Sequence, residues 1–193
     1  MDPTLKHKID RSWLDGIIAV SAVVISLASL WVAVGEGRTQ EHILSASTWP
    51  FLQFSTGDVS PSGANEIDFE IQNAGVGPAR VRWLALDYHG KAYHTALDAF
   101  RDCCGATNEP SGMITSGIQQ RVLTATQVVT LVHFPFRHPA AAVWHRLDVE
   151  RQHFYVRACY CSVLDQCWLL DSRTTQPLRV TDCPPPERPL LYG

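Results

Sequence analysis

The chain has 193 residues, 46% of them apolar and 18% charged, with a formal net charge of −3. That length suits one domain with an appendage, and that composition is ordinary for a folded protein. The balance of charge offers no basic field, so no nucleic-acid partner is expected.

Residues 1–13 are polar and carry Lys6, Lys8 and Arg11. From Gly16 the sequence runs GIIAVSAVVISLASLWVAVG, with no charge between Asp15 and Glu36. Those 20 residues, at ~1.5 Å each, make a helix of about 30 Å, the thickness of a bilayer's hydrocarbon core. Its polar side chains are Ser21, Ser26 and Ser29, whose hydroxyls can bond back to their own helix. Trp13 and Trp31 lie near the ends, where indoles favour the membrane interface. We read residues 14–35 as a transmembrane helix that anchors the chain in a lipid bilayer. The alternatives are a buried core helix, which would show a polar stripe, and a cleaved signal peptide. The run exceeds the ~7–15 residues of a signal core, although Ala33-Val34-Gly35 is a passable cleavage site. Three basic residues precede the helix and Arg38 alone follows closely, which places residues 1–13 in the cytoplasm and the rest outside it.

Ala19, Ala22, Ser26, Ser29 and Ala33 recur at intervals of 3, 4, 3 and 4 and so share one face of that helix. Small residues let helices approach closely in lipid, so this stripe suits a homodimer or a membrane-protein partner. Chance is the competing explanation, because nine of the 20 residues are Gly, Ala or Ser.

Residues 36–48 continue as a short helical stalk, which Trp49-Pro50 ends because proline drives the preceding residue out of the helical region. The period then changes. WPFLQFS (49–55) reads as extended, and NEIDFEIQN (65–73) alternates Ile67, Phe69 and Ile71 against Glu66, Asp68 and Glu70, a half-buried antiparallel strand. Asn73, Gly75, Gly77 and Pro78 mark a turn in NAGVGPA (73–79), with positive φ expected at both glycines. A phosphate loop does not fit, because the Gly-Lys-Ser/Thr ending is missing and no helix follows. A long strand comes next, ending in a turn at His89-Gly90. Ala96, Leu97, Phe100 and Cys104 have helical spacing, and Gly105 stops that helix. Residues 119–125 and 127–136 read as strands, 139–151 as a short helix, and 153–163 with 166–172 as a hairpin around Leu164-Asp165. Three prolines make the tail from 184 to 193 extended.

About seven strands between turns predict a mainly β domain over residues 49–183: an antiparallel two-sheet sandwich, immunoglobulin-like in outline, with one or two short helices. The Trp-Pro strand, the turn of Asn73, Gly75, Gly77, Pro78 and Ala79, and the hairpin CYCSVLDQCW together resemble a group of uncharacterised bacterial single-pass membrane proteins. The resemblance covers most of residues 13–183. It implies the architecture, an N-terminal anchor followed by this domain, and it carries no activity. With the basic flank, the chain reads as a single-pass inner-membrane protein with a cytoplasmic N-terminus and a periplasmic domain.

Outside the cytoplasm six cysteines read as disulfides. With a turn at 163–165, Cys161 lies across from Cys167. A bridge from Cys183, or from Cys103 and Cys104, to the hairpin would close a larger loop and stabilise more. Two alternatives stay open: a tetrahedral Zn²⁺ site from Cys159, Cys161, Cys167 and Cys183, which needs reduced thiols, and free or redox-active thiols. Eight histidines are scattered with no H-x-H or H-E-x-x-H pattern, although His145 and His153 could meet in space. Ser62, Ser111 and Ser116 lack the G-x-S-x-G elbow, and Asp87, Asp98, Asp148 and Glu150 read as solvated acids. No catalytic, cofactor-binding or metal-binding residue is therefore assigned. The sequence is read as a membrane-anchored periplasmic interaction or sensing module. The competing functions are an accessory subunit of a larger membrane complex and a thiol- or metal-handling envelope protein.

Overall fold

The computed structural model describes residues 3–108 and 110–186, with side chains from residue 13 onward. It divides into a helical unit, residues 1–46, and a compact unit, residues 47–193. The last part of the expected proline-rich tail, residues 187–193, lies outside the described residues.

Helix α1 runs unbroken over Pro3–Ser47, 45 residues or about 68 Å. It therefore continues past the expected span 14–35 in both directions, taking in the stalk and most of the polar lead. Within it, Trp13–Ser47 holds a stretch long and apolar enough to cross a membrane. Ile17, Leu27, Leu30 and Val34 are exposed, unlike the apolar face of a soluble core helix. Ser21 Oγ donates to the Ile18 carbonyl at 2.9 Å and Ser26 Oγ to that of Ala22 at 2.7 Å, so both hydroxyls are satisfied within their own helix.

The second unit contains, in chain order, β1 (Leu52–Val59), β2 (Asn65–Asn73), β3 (Ala79–Tyr88), β4 (Lys91–Tyr93), α2 (Ala96–Cys104), β5 (Ile114–Thr115), β6 (Val122–Leu123), β7 (Val128–Pro135), α3 (Ala141–Glu150), β8 (Phe154–Cys161), β9 (Cys167–Asp171) and β10 (Leu178–Val180). One antiparallel sheet has the order β1-β2-β7-β5; the other runs β10-β9-β8-β3-β4, with β6 also paired to β3. The two-sheet, mainly β domain behind an anchor helix is what forms. The strand expected over 119–125 shrinks to two residues. The short pieces β4, β5 and β10 had no run of apolar alternation to announce them.

Strand β2 shows why the layers pack. Ile67, Phe69 and Ile71 are fully buried on one face. Phe69 sits at the centre, with ring centroids 5.8 Å from Phe54, 6.1 Å from Phe100 and 5.2 Å from Phe154. This joins the first sheet to α2 and to the second sheet. Each such side chain taken from water stabilises by ~1.5–3 kcal/mol. Strand β3 changes parity at a register shift between Val81 and Trp83. Val81, Leu84 and Leu86 face the main core, while Trp83 and Ala85 face the far side with Cys159, Leu169, Val180 and Cys183. One bulged residue thus exchanges the two faces of the strand, and the chain after β10 covers the outer one.

Helix α2 is capped at both ends. Thr95 accepts from the Asp98 N–H at 3.1 Å, and Gly105 takes a left-handed φ of +71°. Its buried face is Ala96, Ala99, Phe100 and Cys104; Leu97, expected there, is only partly buried. Helix α3 buries Trp144 and Leu147, and Trp144 Nε1 donates to the Phe134 carbonyl at 3.0 Å.

Candidate functional site

The turn at 73–79 is a structural knot built on a buried amide. Asn73 Oδ1 accepts from the Phe51 and Gly75 N–H groups, each at 3.1 Å. Asn73 Nδ2 donates to the Gly77 carbonyl at 2.8 Å and to those of Leu123 and Thr124 at 3.1 Å. One side chain so ties the entry strand, its own turn and the β6 loop together. The expectation of positive φ at Gly75 and Gly77 is corrected here, since the positive-φ glycines described are Gly63, Gly90, Gly105 and Gly112. Glycine is required for space instead. A Cβ on Gly75 would stand 2.4 Å from the Phe51 nitrogen, and one on Gly77 would stand 2.1 Å from the Thr48 carbonyl oxygen. The chain passes that close because the Val76 and Gly77 N–H groups both reach the Trp49 carbonyl, at 3.0 and 3.1 Å.

All six cysteines are paired, leaving none free. Cys161 and Cys167 face each other across the β8–β9 hairpin in direct register, with Cα atoms 4.0 Å apart. Cys159 and Cys183, Cα atoms 5.6 Å apart, fasten the chain after β10 onto β8. On the loop-closure model these bridges are worth about 2 and about 3.5 kcal/mol respectively. Cys103 and Cys104 bond to each other and so do not reach the hairpin. The sulfurs of Cys161 and Cys183 lie 3.8 Å apart, so two bridges stack side by side. The thiol zinc site would need both opened.

The acids weighed in the sequence are held by cations and hydroxyls. Arg157 donates to both oxygens of Asp87, at 2.8 and 3.1 Å. Asp98 accepts from Thr95 Oγ1 and Arg101, Asp148 from Arg151. Asp68 pairs with His133 at 2.8 Å across β2 and β7. His145 packs against Phe136 and Trp144, and His153 meets a different histidine, His89.

That meeting is the cluster sequence reasoning missed. His89 sits in the two-residue β3–β4 turn, where Tyr88 pairs with Lys91. His89 has φ +48° and Gly90 has φ +80°, the two positive values of a type I′ hairpin. Glu150 ends α3 and His153 lies in the 3₁₀ turn that follows. The imidazoles of His89 and His153 stack with centroids 4.8 Å apart. Glu150 Oε2 lies 3.0 Å from His153 Nδ1, 3.6 Å from His89 Nε2 and 2.9 Å from the Tyr88 hydroxyl that donates to it. The Tyr88 hydrogen bond holds the Glu150 carboxyl below its usual pKa, against the desolvation that opposes it, with His153 and His89 adding. Desolvation and the same carboxylate push Tyr88 up to about 12. Glu150 and His153, three apart at the end of a helical pattern, were the available signal. Their third partner lies 61 residues away across the fold.

On the open edge of β1 a groove of about 320 Å³ runs past Phe51, Phe54, Ser55, Ser172 and Thr174. Farther along β1, Arg151 donates to the Thr56 carbonyl at 3.3 Å and pairs with Asp58 at 3.3 Å, which blunts that part of the edge. Comparison with known proteins finds no matching family model, no matching curated protein and no matching solved structure.

Proposed function

We propose that the chain is a single-pass inner-membrane protein whose C-terminal domain works in the periplasm as an interaction or sensing module. The observation that supports this most is one of sequence order: a helix apolar enough to cross a membrane leads directly into a domain closed by three disulfides. Such bridges persist in oxidising compartments. The three basic residues before the helix and one close after it favour a cytoplasmic N-terminus. Tethering fixes the domain near the membrane and raises its effective concentration toward a neighbour there. The test joins orientation to interaction. Fusion of alkaline phosphatase to the C-terminus should give an active enzyme and fusion of a fluorescent cytoplasmic reporter a dark one. Photoreactive residues scanned over exposed positions such as Gln53 and Val76 should give adducts at one contiguous patch. A bright cytoplasmic reporter, or no adduct at any position, would contradict the reading.

A second reading, an accessory subunit held through its helix, draws on Ala19, Ala22, Ser26, Ser29 and Ala33. All five are exposed along one face of α1. In a membrane two-hybrid, Ala22→Leu with Ser29→Leu should weaken self-association or docking, while Val20→Leu with Val24→Leu should not.

A further inference from the structure

We propose that His89, Glu150 and His153 form a binding site for one divalent transition-metal ion of the Zn²⁺ class. The ligand set is two imidazoles and a carboxylate, whose candidate ligand atoms all lie within 4.8 Å of one another. Zinc held by such atoms at ~2.0–2.2 Å brings them a little over 3 Å apart, so a small contraction closes the site. Three protein ligands leave a fourth position for water or for a group from outside.

Internal hydrogen bonding explains only part of the arrangement. Glu150 Oε2 already accepts from Tyr88 at 2.9 Å and faces His153 Nδ1 at 3.0 Å. His89 Nε2, at 3.6 Å, is too far for a hydrogen bond, yet its ring lies against the second imidazole. A metal ion at this corner would take up the ring nitrogen of His89, which at 3.6 Å makes no direct hydrogen bond to the carboxylate.

The backbone points the same way. The two-residue turn, with His89 at φ +48°, sets where its imidazole stands beside Glu150 and His153. Tyr88 supports the site from behind. Its hydroxyl orients Glu150, and its ring stacks on Phe154 at 4.7 Å, a residue buried in the core. Outer-shell partners of this kind orient metal ligands. Two other clusters fit less well. Glu66, Asp68 and His133 offer one imidazole, already paired, and Cys161, Cys167 and Cys183 are bound in bridges. The proposal concerns residues of the domain alone, so it stands whichever way the helix is oriented.

The experiment uses the full chain in detergent, stripped of metal with its disulfides intact. Zn²⁺ is titrated calorimetrically and Co²⁺ is followed by visible absorption. One ion per chain is expected. His89→Asn keeps the turn, because Asn-Gly is the favoured type I′ pair, and near-UV dichroism should be unchanged. His89→Asn and His153→Gln should each weaken binding more than tenfold, Tyr88→Phe by about 10–100-fold, and His133→Ala not at all. Failure of the wild-type chain to bind either ion overturns the site. So does binding that either His89→Asn or His153→Gln weakens less than tenfold.

Discussion

Two glycine turns bracket β3, and glycine is there for opposite reasons. At 73–79 the backbone is ordinary and space is missing: a Cβ on Gly77 would meet the Thr48 carbonyl at 2.1 Å. At 89–90 space is open and the backbone is unusual: nothing lies within 4 Å of a Cβ on Gly90, but φ is +80°. The first turn is welded to the chain that enters the domain. The second projects from it and carries His89 to the Glu150–His153 corner. Packing fixes one turn; conformation shapes the other, and only the other is free to serve a ligand.

The comparison predicts a ranking by denaturant unfolding. Gly77→Ala should be the most damaging, costing ~3 kcal/mol or more, because the clash is with backbone that cannot rotate away. Asn73→Ala should cost about 3 kcal/mol, since it orphans buried donors and carbonyls at once. Equal, small effects of Gly77→Ala and Gly90→Ala would dissolve the distinction.

Cysteine replacement falls in the same range. Cys159→Ser with Cys183→Ser should cost about 3.5 kcal/mol and expose the Trp83 face, whereas Cys161→Ser with Cys167→Ser should cost about 2 kcal/mol. A shift in tryptophan fluorescence confined to the first pair checks that the tail covers β3.

Alkaline pH reaches a buried hydroxyl on the hairpin strand, over the same range as Tyr88. Burial, with no hydrogen-bond partner on the hydroxyl among the described residues, pushes Tyr160 up to about 12. The folded state therefore keeps a proton that the unfolded chain loses near pH 10. Its contribution, on the order of 2 kcal/mol, is present below pH 10 and is lost as pH rises toward 12. Tyr160→Phe should make that limb shallower and leave the share of Tyr88, and an unchanged limb would assign it elsewhere. Gly90→Ala should have the smallest effect, about 1 kcal/mol of left-handed strain.

The anchor, the alternating strand β2, the two-residue turn at His89-Gly90 and the Cys161–Cys167 register were legible because each depends on local period or spacing. A bridge from Cys183 to the hairpin was among the expectations and forms, but its choice of Cys159, the self-paired Cys103 and Cys104, and the short strands were not legible. Their partners are set by the packing of distant elements. Gly77 shows the limit best: the residue was picked out correctly and its reason was not, because a steric approach from Thr48 leaves no trace in the local sequence. The cluster at His89 was hidden for the same cause, its members lying on two elements that meet only in the folded domain.

The most direct measurement is labelling of the cysteines in living membranes. Spheroplasts carrying the chain are treated with a membrane-impermeant maleimide, with and without an impermeant reductant. A disulfide-closed periplasmic domain predicts labelling only after reduction, with the membrane intact. Labelling that needs a permeabilised membrane and no reductant would place reduced thiols in the cytoplasm and contradict both the orientation and the bridges.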